Sequence, residues 1–500
     1  MAMPDKALLQ ALVLALAIGT SAVAQPAPPA AAVLPASPAA ALSSAPALAA
    51  APRTGVLTLA EVLASARFHA PQVLEALARV RGAEGRVLSA QAAFDTVFSA
   101  DATSRVAGFY DGQIASATIT RPLPDNGGYA YGGYRVSSGR FPIYEDEYFT
   151  NRAGEVKAGA VFALLRDRAI DERRFARSFA EADVAIAEAD RLMIAIGVQQ
   201  AALSAYINWV ASGLRLNVYR DLLALAQERQ AGFRRQVEEG ARPRILLTEN
   251  EQNILRRQTL VVQSEQALAQ AATTLSLYVR DADGRPIIVG TERLPDSMPP
   301  LPMRGAAGLD PAAIAAARPD VRMLDIRIRQ SSSRLALDRN NFLPKFDFRV
   351  EASRDLGPEG RGGSSRTPTE GKLGFSFTLP LQQGAARGRL AQTNAEIEAQ
   401  RQRRRLLEDQ INAQVAQLAV AVEATQRLRT LAADEQARAL DMAVAERRRF
   451  SAGASDFFLV NVREEAAADA QVRALDAIIR QVSANAELAS VTADLDALGL

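Results

Sequence analysis

From Arg166 to Gly240 the chain contains no proline, and its apolar residues keep a helical spacing throughout. Val198, Ala202, Ala205, Trp209, Ser212, Leu216, Tyr219 and Leu223 alternate by four and three, the spacing of a heptad seam. As one helix this stretch would span roughly 110 Å, longer than a single globular domain can enclose. The second half repeats the feature. Nothing from Leu381 to Leu500 is proline, and Ile411, Val415, Leu418 and Val422 carry the same spacing, as do Leu488, Val491, Leu495 and Leu498 near the end. Any fold for this chain must accommodate two very long helical stretches.

Both stretches break in the same way. The first stops at Glu238-Glu239-Gly240-Ala241-Arg242-Pro243 and restarts with Ile245-Leu246-Leu247. The second stops at Phe450-Ser451-Ala452-Gly453 and restarts near Ser455-Asp456, ahead of Phe457-Phe458-Leu459-Val460. A glycine closes a helix in the left-handed conformation, while Pro243 or Ser455/Asp456 opens the next. Each break therefore reads as a tight αα-hairpin, with tips near 240–244 and 453–456. Aligned on these glycines the halves repeat, and they start alike, with Arg67-Phe68-His69-Ala70-Pro71 and Ala317-Arg318-Pro319-Asp320. The chain reads as an internal duplication, 53–307 followed by 308–500, joined by Pro-rich Leu294 to Pro311.

Each half also holds short segments of a different period. Phe346-Asp347-Phe348-Arg349-Val350-Glu351 and Leu373-Gly374-Phe375-Ser376-Phe377-Thr378-Leu379 alternate apolar and polar strictly, and the stretches around Phe98 to Val106 and Val156 to Leu164 do so with smaller residues. This is the pattern of a barrel strand facing lipid on one side and a polar lumen on the other. It predicts a strand pair at 94–107 and 155–165 and another at 345–354 and 372–380, with Phe346, Phe348, Phe375 and Phe377 on the lipid face. Between the first two lies a long segment, 108–154, holding six of the nine tyrosines and the Gly127-Gly128 and Gly132-Gly133 pairs. It reads as a loop, its tyrosines suited to a membrane interface. Four strands cannot close a membrane barrel, and an open edge in lipid leaves backbone groups unsatisfied, so the chain is expected to associate symmetrically through its edges.

Residues 1–24 have the form of a cleaved export signal: Lys6, an apolar run from Ala7 to Ile18, then Ala22-Val23-Ala24. The run is too short for a spanning helix. Residues 25–52, nearly all Ala, Pro and Ser, read as an extended leader. Order is expected from Thr58, which forms a capping box with Glu61.

Composition closes off other classes. With no cysteine, thiol catalysis, disulfides and zinc-thiolate sites are excluded. Lys and Arg number 58 against 56 Asp and Glu, too balanced for a nucleic-acid binder. The single histidine, His69, has no partners that would make a metal site or a triad, and the glycine pairs do not sit between a strand and a helix as a phosphate loop requires. No enzyme, cofactor or metal is expected. The run Arg447-Arg448-Arg449 lies close to the second tip and offers a partner contact as well as a solvated face.

Strand pairs alternating with two long helical hairpins, duplicated once, resemble the TolC-like outer-membrane efflux proteins, also called outer membrane factors. The most specific pieces are Phe342-Leu343-Pro344 before a strand, Gly374 to Leu381 followed by Gly384 at the strand-to-helix return, and Arg449-Phe450-x-x-Gly453 with Leu459-Val460 at the tip. The resemblance implies a homotrimer, a twelve-stranded transmembrane β-barrel and a periplasmic tunnel of twelve helical segments. It further implies a periplasmic adaptor and an inner-membrane pump as partners, and passive export of small molecules or proteins without a cofactor. The tips, Gly240, Pro243, Ile245, Leu246, Leu247, Phe450, Gly453, Asp456, Phe457, Phe458, Leu459 and Val462, would form the gate and the adaptor contact. Family members that gate with Asp rings place them where this chain has Leu459 and Val462, which argues against an Asp-ring gate; the constriction is expected to be mainly apolar, because Ile245, Leu246, Phe457, Phe458 and Leu459 crowd it. Asp456, Glu238 and Glu239 are the nearest acidic candidates for an acidic gate, and they read more readily as helix caps and solvated charges. The rival reading is a soluble periplasmic coiled-coil adaptor or structural protein, which two hairpins and duplicated strand pairs disfavour.

Overall fold

The computed structural model describes residues 55–299, 308–361 and 368–500; the expected export signal, the leader and part of the Pro-rich joint lie outside them. Thr58 opens the first helix as its sequence predicts. Its hydroxyl accepts from the Glu61 amide at 3.3 Å, and the Glu61 carboxylate accepts from the Thr58 amide at 3.3 Å. Helix α1 (Leu59–His69) and α2 (Pro71–Gln91) follow, with Pro71 at the first helical position, where its missing N–H costs nothing.

The long proline-free stretch is one helix, α3 (Glu172–Glu238), of 67 residues, opened by the Asp171 side chain on the Arg174 amide. It turns into α4 (Ile245–Leu275). In the second half α5 (Pro311–Ala317) and α6 (Pro319–Asn340) precede α7 (Gly384–Ser451), of 68 residues, which turns into α8 (Phe457–Val491). Helix α3 packs on α2 and α6 in one part of its length and on α4 and α8 in another, while α7 packs on α6 and α8. The helices use small residues at these contacts. Ala202, Ala205 and Ala211 on α3, and Ala467, Ala470 and Ala474 on α8, are buried, which lets neighbouring backbones approach closely.

The bulkiest apolar cluster belongs to the middle of α3. Tyr206, Ile207, Trp209 and Val210 pack with Leu57, Val62 and Ala66 near the start of the chain and with Leu275, Val279 and Val289 after α4. Gly213 leaves room here for the Leu294 side chain, which a Cβ at that position would approach to 2.2 Å and displace. The Tyr206 hydroxyl donates to the Leu57 carbonyl at 2.9 Å. Burial pushes that hydroxyl up to about 12 from 10.0. The folded chain keeps a proton that the unfolded chain releases, so this contribution is intact below pH 10 and is lost as pH rises toward 12. The thermal midpoint should fall across that window, and less steeply in Tyr206→Phe.

The strands form one antiparallel six-stranded meander in chain order: β1 (Val97–Ser104), β2 (Gln113–Pro122), β3 (Tyr129–Ser138), β4 (Glu155–Ala163), β5 (Lys345–Asp355) and β6 (Glu370–Thr378). The mainly helical fold with a strand sheet is as read from the sequence, but the count of four strands is corrected to six. The segment 108–154 is not a loop throughout. It contributes the hairpin β2–β3, which stands between the two strands expected to pair with each other. Gly132 and Gly133, read as loop glycines, lie within β3. In one chain the sheet is open, with β1 and β6 as its edges. Among the described residues no helix is long and apolar enough to cross a membrane.

Candidate functional site at the sheet faces and hairpin tips

Directly opposed residues of antiparallel strands point to the same face, so the five registers determine what each face presents. Phe98, Ala100 and Ala102 of β1 oppose Ile119, Ala117 and Ala115 of β2. These in turn oppose Gly132, Tyr134 and Val136 of β3. The row continues through Val156, Ala158, Ala160 and Phe162 of β4, through Phe348, Val350 and Ala352 of β5, and into Leu373, Phe375 and Phe377 of β6. The face is therefore apolar across all six strands. Its charges, Arg121 at one end of β2 and Arg354 toward the opposite end of β5, lie at the rims. Along β5, Phe346 to Ala352 covers about 20 Å. The opposite face carries Asp101, Thr118, Arg135, Lys157, Asp347 and Glu351 at the corresponding positions. A one-residue slip in any pairing would invert that strand; none of the five is slipped.

Phe346, Phe348, Phe375 and Phe377 all stand on the apolar face. Phe346 stacks on Phe375 at 5.8 Å, Phe348 meets Phe375 at 5.1 Å, and Phe162 stacks on Phe348 at 6.5 Å. On the polar face the Tyr131 hydroxyl reaches across β4 to donate to the Glu351 carboxylate. Gly159, which opposes both residues, makes this possible: a Cβ there would lie 2.6 Å from the tyrosine oxygen.

Both tips close by the same backbone device. At the first, the Gly240 amide donates to Val237 O at 3.1 Å and the Ala241 amide to Gln236 O at 2.8 Å; at the second, Gly453 donates to Phe450 O at 3.0 Å and Ala454 to Arg449 O at 2.8 Å. These are Schellman pairs around glycines at φ +71° and +76°. Asp456 caps α8, accepting from the Leu459 amide at 2.7 Å. Asp456→Ala should lower stability by about 1 kcal/mol, read as faster hydrogen exchange in the first turns of α8. Pro243 stands two residues before α4, which starts without a side-chain cap.

The tip residues separate into two sets. Phe457 is buried, with its ring 4.9 Å from Phe233 of α3, and Phe450 lies 6.2 Å from Phe233. These rings form a small aromatic core that joins the two hairpins, so Phe457 is turned inward rather than crowding a constriction. Phe458, Ile245 and Val462 are exposed by 73 %, 59 % and 40 %. Leu246, Leu247 and Leu459 are half-buried, while Gly240, Pro243, Gly453 and Asp456 are exposed. Arg449 braces its own turn through Glu446 at 3.4 Å and Ala454 O at 3.2 Å, and both it and Arg448 are exposed.

Just behind the tips lies a charged seam that the sequence reading missed. Glu464 of α8 is buried and takes Arg257 of α4 at 3.2 Å and Arg229 of α3. Arg257 also donates to Leu222 O at 2.7 Å, and Arg229 to Asn461 at 3.0 Å. Burial lowers the Arg257 pKa against the raising effect of Glu464. A signal existed: Glu464 falls on the helical row of Phe457, Val460, Asn461 and Ala467, where an apolar residue would be expected. Among the described residues no cluster of His, Asp and Glu could hold a metal ion.

A strand sheet with one continuous apolar face, joined to two long helical hairpins, is a fold shared with several solved outer-membrane proteins. VceC, an outer membrane protein of Vibrio cholerae, shares it at 17 % identity and a TM-score of 0.60, over 88 % of this chain and 96 % of that one. The open state of the MtrE outer membrane channel of Neisseria gonorrhoeae shares it at 17 % and 0.60, over 87 % and 88 %. The CmeC outer membrane channel of Campylobacter jejuni does so at 14 % and 0.60, over 87 % and 85 %. Residues 311–494 match the family described as outer membrane efflux protein, and the likeness of fold to these solved structures extends over most of the chain. No curated protein sequence matches.

Proposed function

We propose that three copies of this chain form an exit duct in the outer membrane of a tripartite efflux or type I secretion system. The duct passively releases small molecules or proteins delivered by an inner-membrane pump and a periplasmic adaptor. Two repeats, 53–307 and 308–500, each contribute strands to the membrane wall and one long hairpin to a periplasmic tunnel, after export by the cleaved signal at 1–24. The single observation that carries this reading is the sheet. One face is apolar over six strands while both edges lack a partner in one chain, a combination that lipid tolerates only in a closed ring. The tips then serve as constriction and adaptor contact, with Ile245, Phe458 and Val462 presented outward from the aromatic core and Leu459 half-buried beside them. An apolar constriction closes a pore by dewetting. Purified protein in planar bilayers should conduct, and Leu459→Asp and Phe458→Ser should raise open conductance; an unchanged conductance in both variants would count against the apolar gate, and no conductance at all against the duct.

A further inference from the structure

The hairpin β2–β3 is more than the resemblance implies, and its fit to the sheet has a consequence for the pore. We propose that β2–β3 is part of the membrane wall, so that the trimer closes an eighteen-stranded barrel, three copies of the six-stranded sheet, in place of twelve strands. This rests on the trimeric duct proposed above.

Three independent observations place the hairpin in the wall. First, Ala115, Ala117 and Ile119 continue the apolar face from β1 while Ser116, Thr118 and Thr120 continue the polar one. A flap lying outside the membrane has no reason to match that alternation. Second, β3 is pinned to the strands beyond it. It pairs with β4 from Tyr129↔Val161 to Arg135↔Glu155, Arg135 meets Glu155 at 2.7 Å, and Tyr131 crosses Gly159 to reach Glu351 on β5. Third, the β2–β3 turn is built into the junction between sheet and helix. Asn126 Oδ1 accepts from the Ala163 amide at 2.9 Å, the Gly127 amide donates to Asp167 O at 3.2 Å, and Arg174 of α3 donates to Asp125 O at 3.3 Å. Only glycine fits there, since a Cβ on Gly128 would lie 1.8 Å from Val161 O. Because β1 pairs with β2 and β4 with β3, removing the hairpin from the wall would break the sheet in two.

The occupant of the free edges is a second copy. β1 and β6 are exposed along their length, and each brings the same apolar and polar alternation to its edge. Barrel diameter grows roughly linearly with strand number, so eighteen strands enclose a lumen about half as wide again as twelve, in the range of water-filled porins. The outer mouth then imposes little size selection of its own, and selection falls to the helical tips.

The chain has no cysteine, so single cysteines report without background. In full-length protein in outer membranes, Thr118→Cys should react with a small water-soluble maleimide about tenfold faster than Ala117→Cys. Ala117→Cys should instead react with a lipid-soluble maleimide. Ser116→Cys and Ala115→Cys form a second pair with the same expected contrast, covering a variant that fails to assemble. The pair Ala130→Cys/Ala160→Cys should oxidise to a disulfide within one chain, because β3 and β4 are paired there. Equal labelling of both faces by the water-soluble reagent, with no disulfide, would place the hairpin outside the wall while leaving an outer-membrane trimer intact. Absence of a trimer from the outer membrane would overturn the duct itself, and native mass measured on the same samples separates the two failures.

Discussion

Glu464→Ala is expected to cost about 3–5 kcal/mol, because it leaves the fully buried Arg257 guanidinium without its carboxylate. The loss should appear as rapid hydrogen exchange and proteolysis in the tip-proximal parts of α3, α4 and α8, where Arg229, Arg257 and Glu464 join the two hairpins. The double variant Glu464→Leu/Arg257→Met should recover much of it, since an apolar pair of similar volume avoids the desolvation cost while Arg229 keeps Asn461. Glu423→Ala supplies the contrast. Its partner Arg427 and its own side chain are exposed by 76 % and 67 %, and solvent-screened pairs contribute about 1 kcal/mol or less. A Glu464→Ala protein as resistant as Glu423→Ala would show that the seam does not hold the tips together.

Phe375→Arg should be the most damaging change in the sheet. The Phe375 side chain is 67 % exposed in the single chain, yet it stands amid Phe346 and Phe348 on the apolar face. In water that exposure would make arginine harmless. In a bilayer the same substitution costs about 2–4 kcal/mol near the midplane and should deplete the outer-membrane trimer. Ser376→Arg, one residue along and on the polar face opposite Asp347, should be tolerated. Equal tolerance of both would mean that the sheet has no lipid face. The two variants differ in position by one residue and in predicted outcome completely, which makes the comparison insensitive to general effects of adding charge.

The long helices and their breaks were legible because heptad spacing, absence of proline and closing glycines all point the same way at Gly240 and Gly453. β5 and β6 were legible because phenylalanine alternates with Asp, Arg and Ser. β2 and β3 were not, for a physical reason. Much of their apolar face is Ala115, Ala117, Ala130 and Gly132, whose hydropathy contrasts weakly with the serines and threonines opposite, and the Gly-Tyr content of 127–134 resembles turn chemistry. The alternation was present in Ala115-Ser116-Ala117-Thr118-Ile119-Thr120, but register across neighbouring strands was needed to read it. At the tips, sequence order marked the residues but not their direction. Phe457 and Phe458 are adjacent and chemically identical, and only the packing of Phe233 turns one inward and leaves the other out. Arg257 and Glu464 were hidden because each alone resembles a solvated charge, and their pairing is long-range.

The central claim, that this chain works as an outer-membrane duct, is tested most directly by membrane fractionation of a Gram-negative strain expressing it, with native mass determination of the detergent-extracted protein. A trimer in the outer-membrane fraction is the predicted result. A soluble periplasmic monomer or dimer would contradict it, because the continuous apolar face and the two open edges would then have to be stable in water.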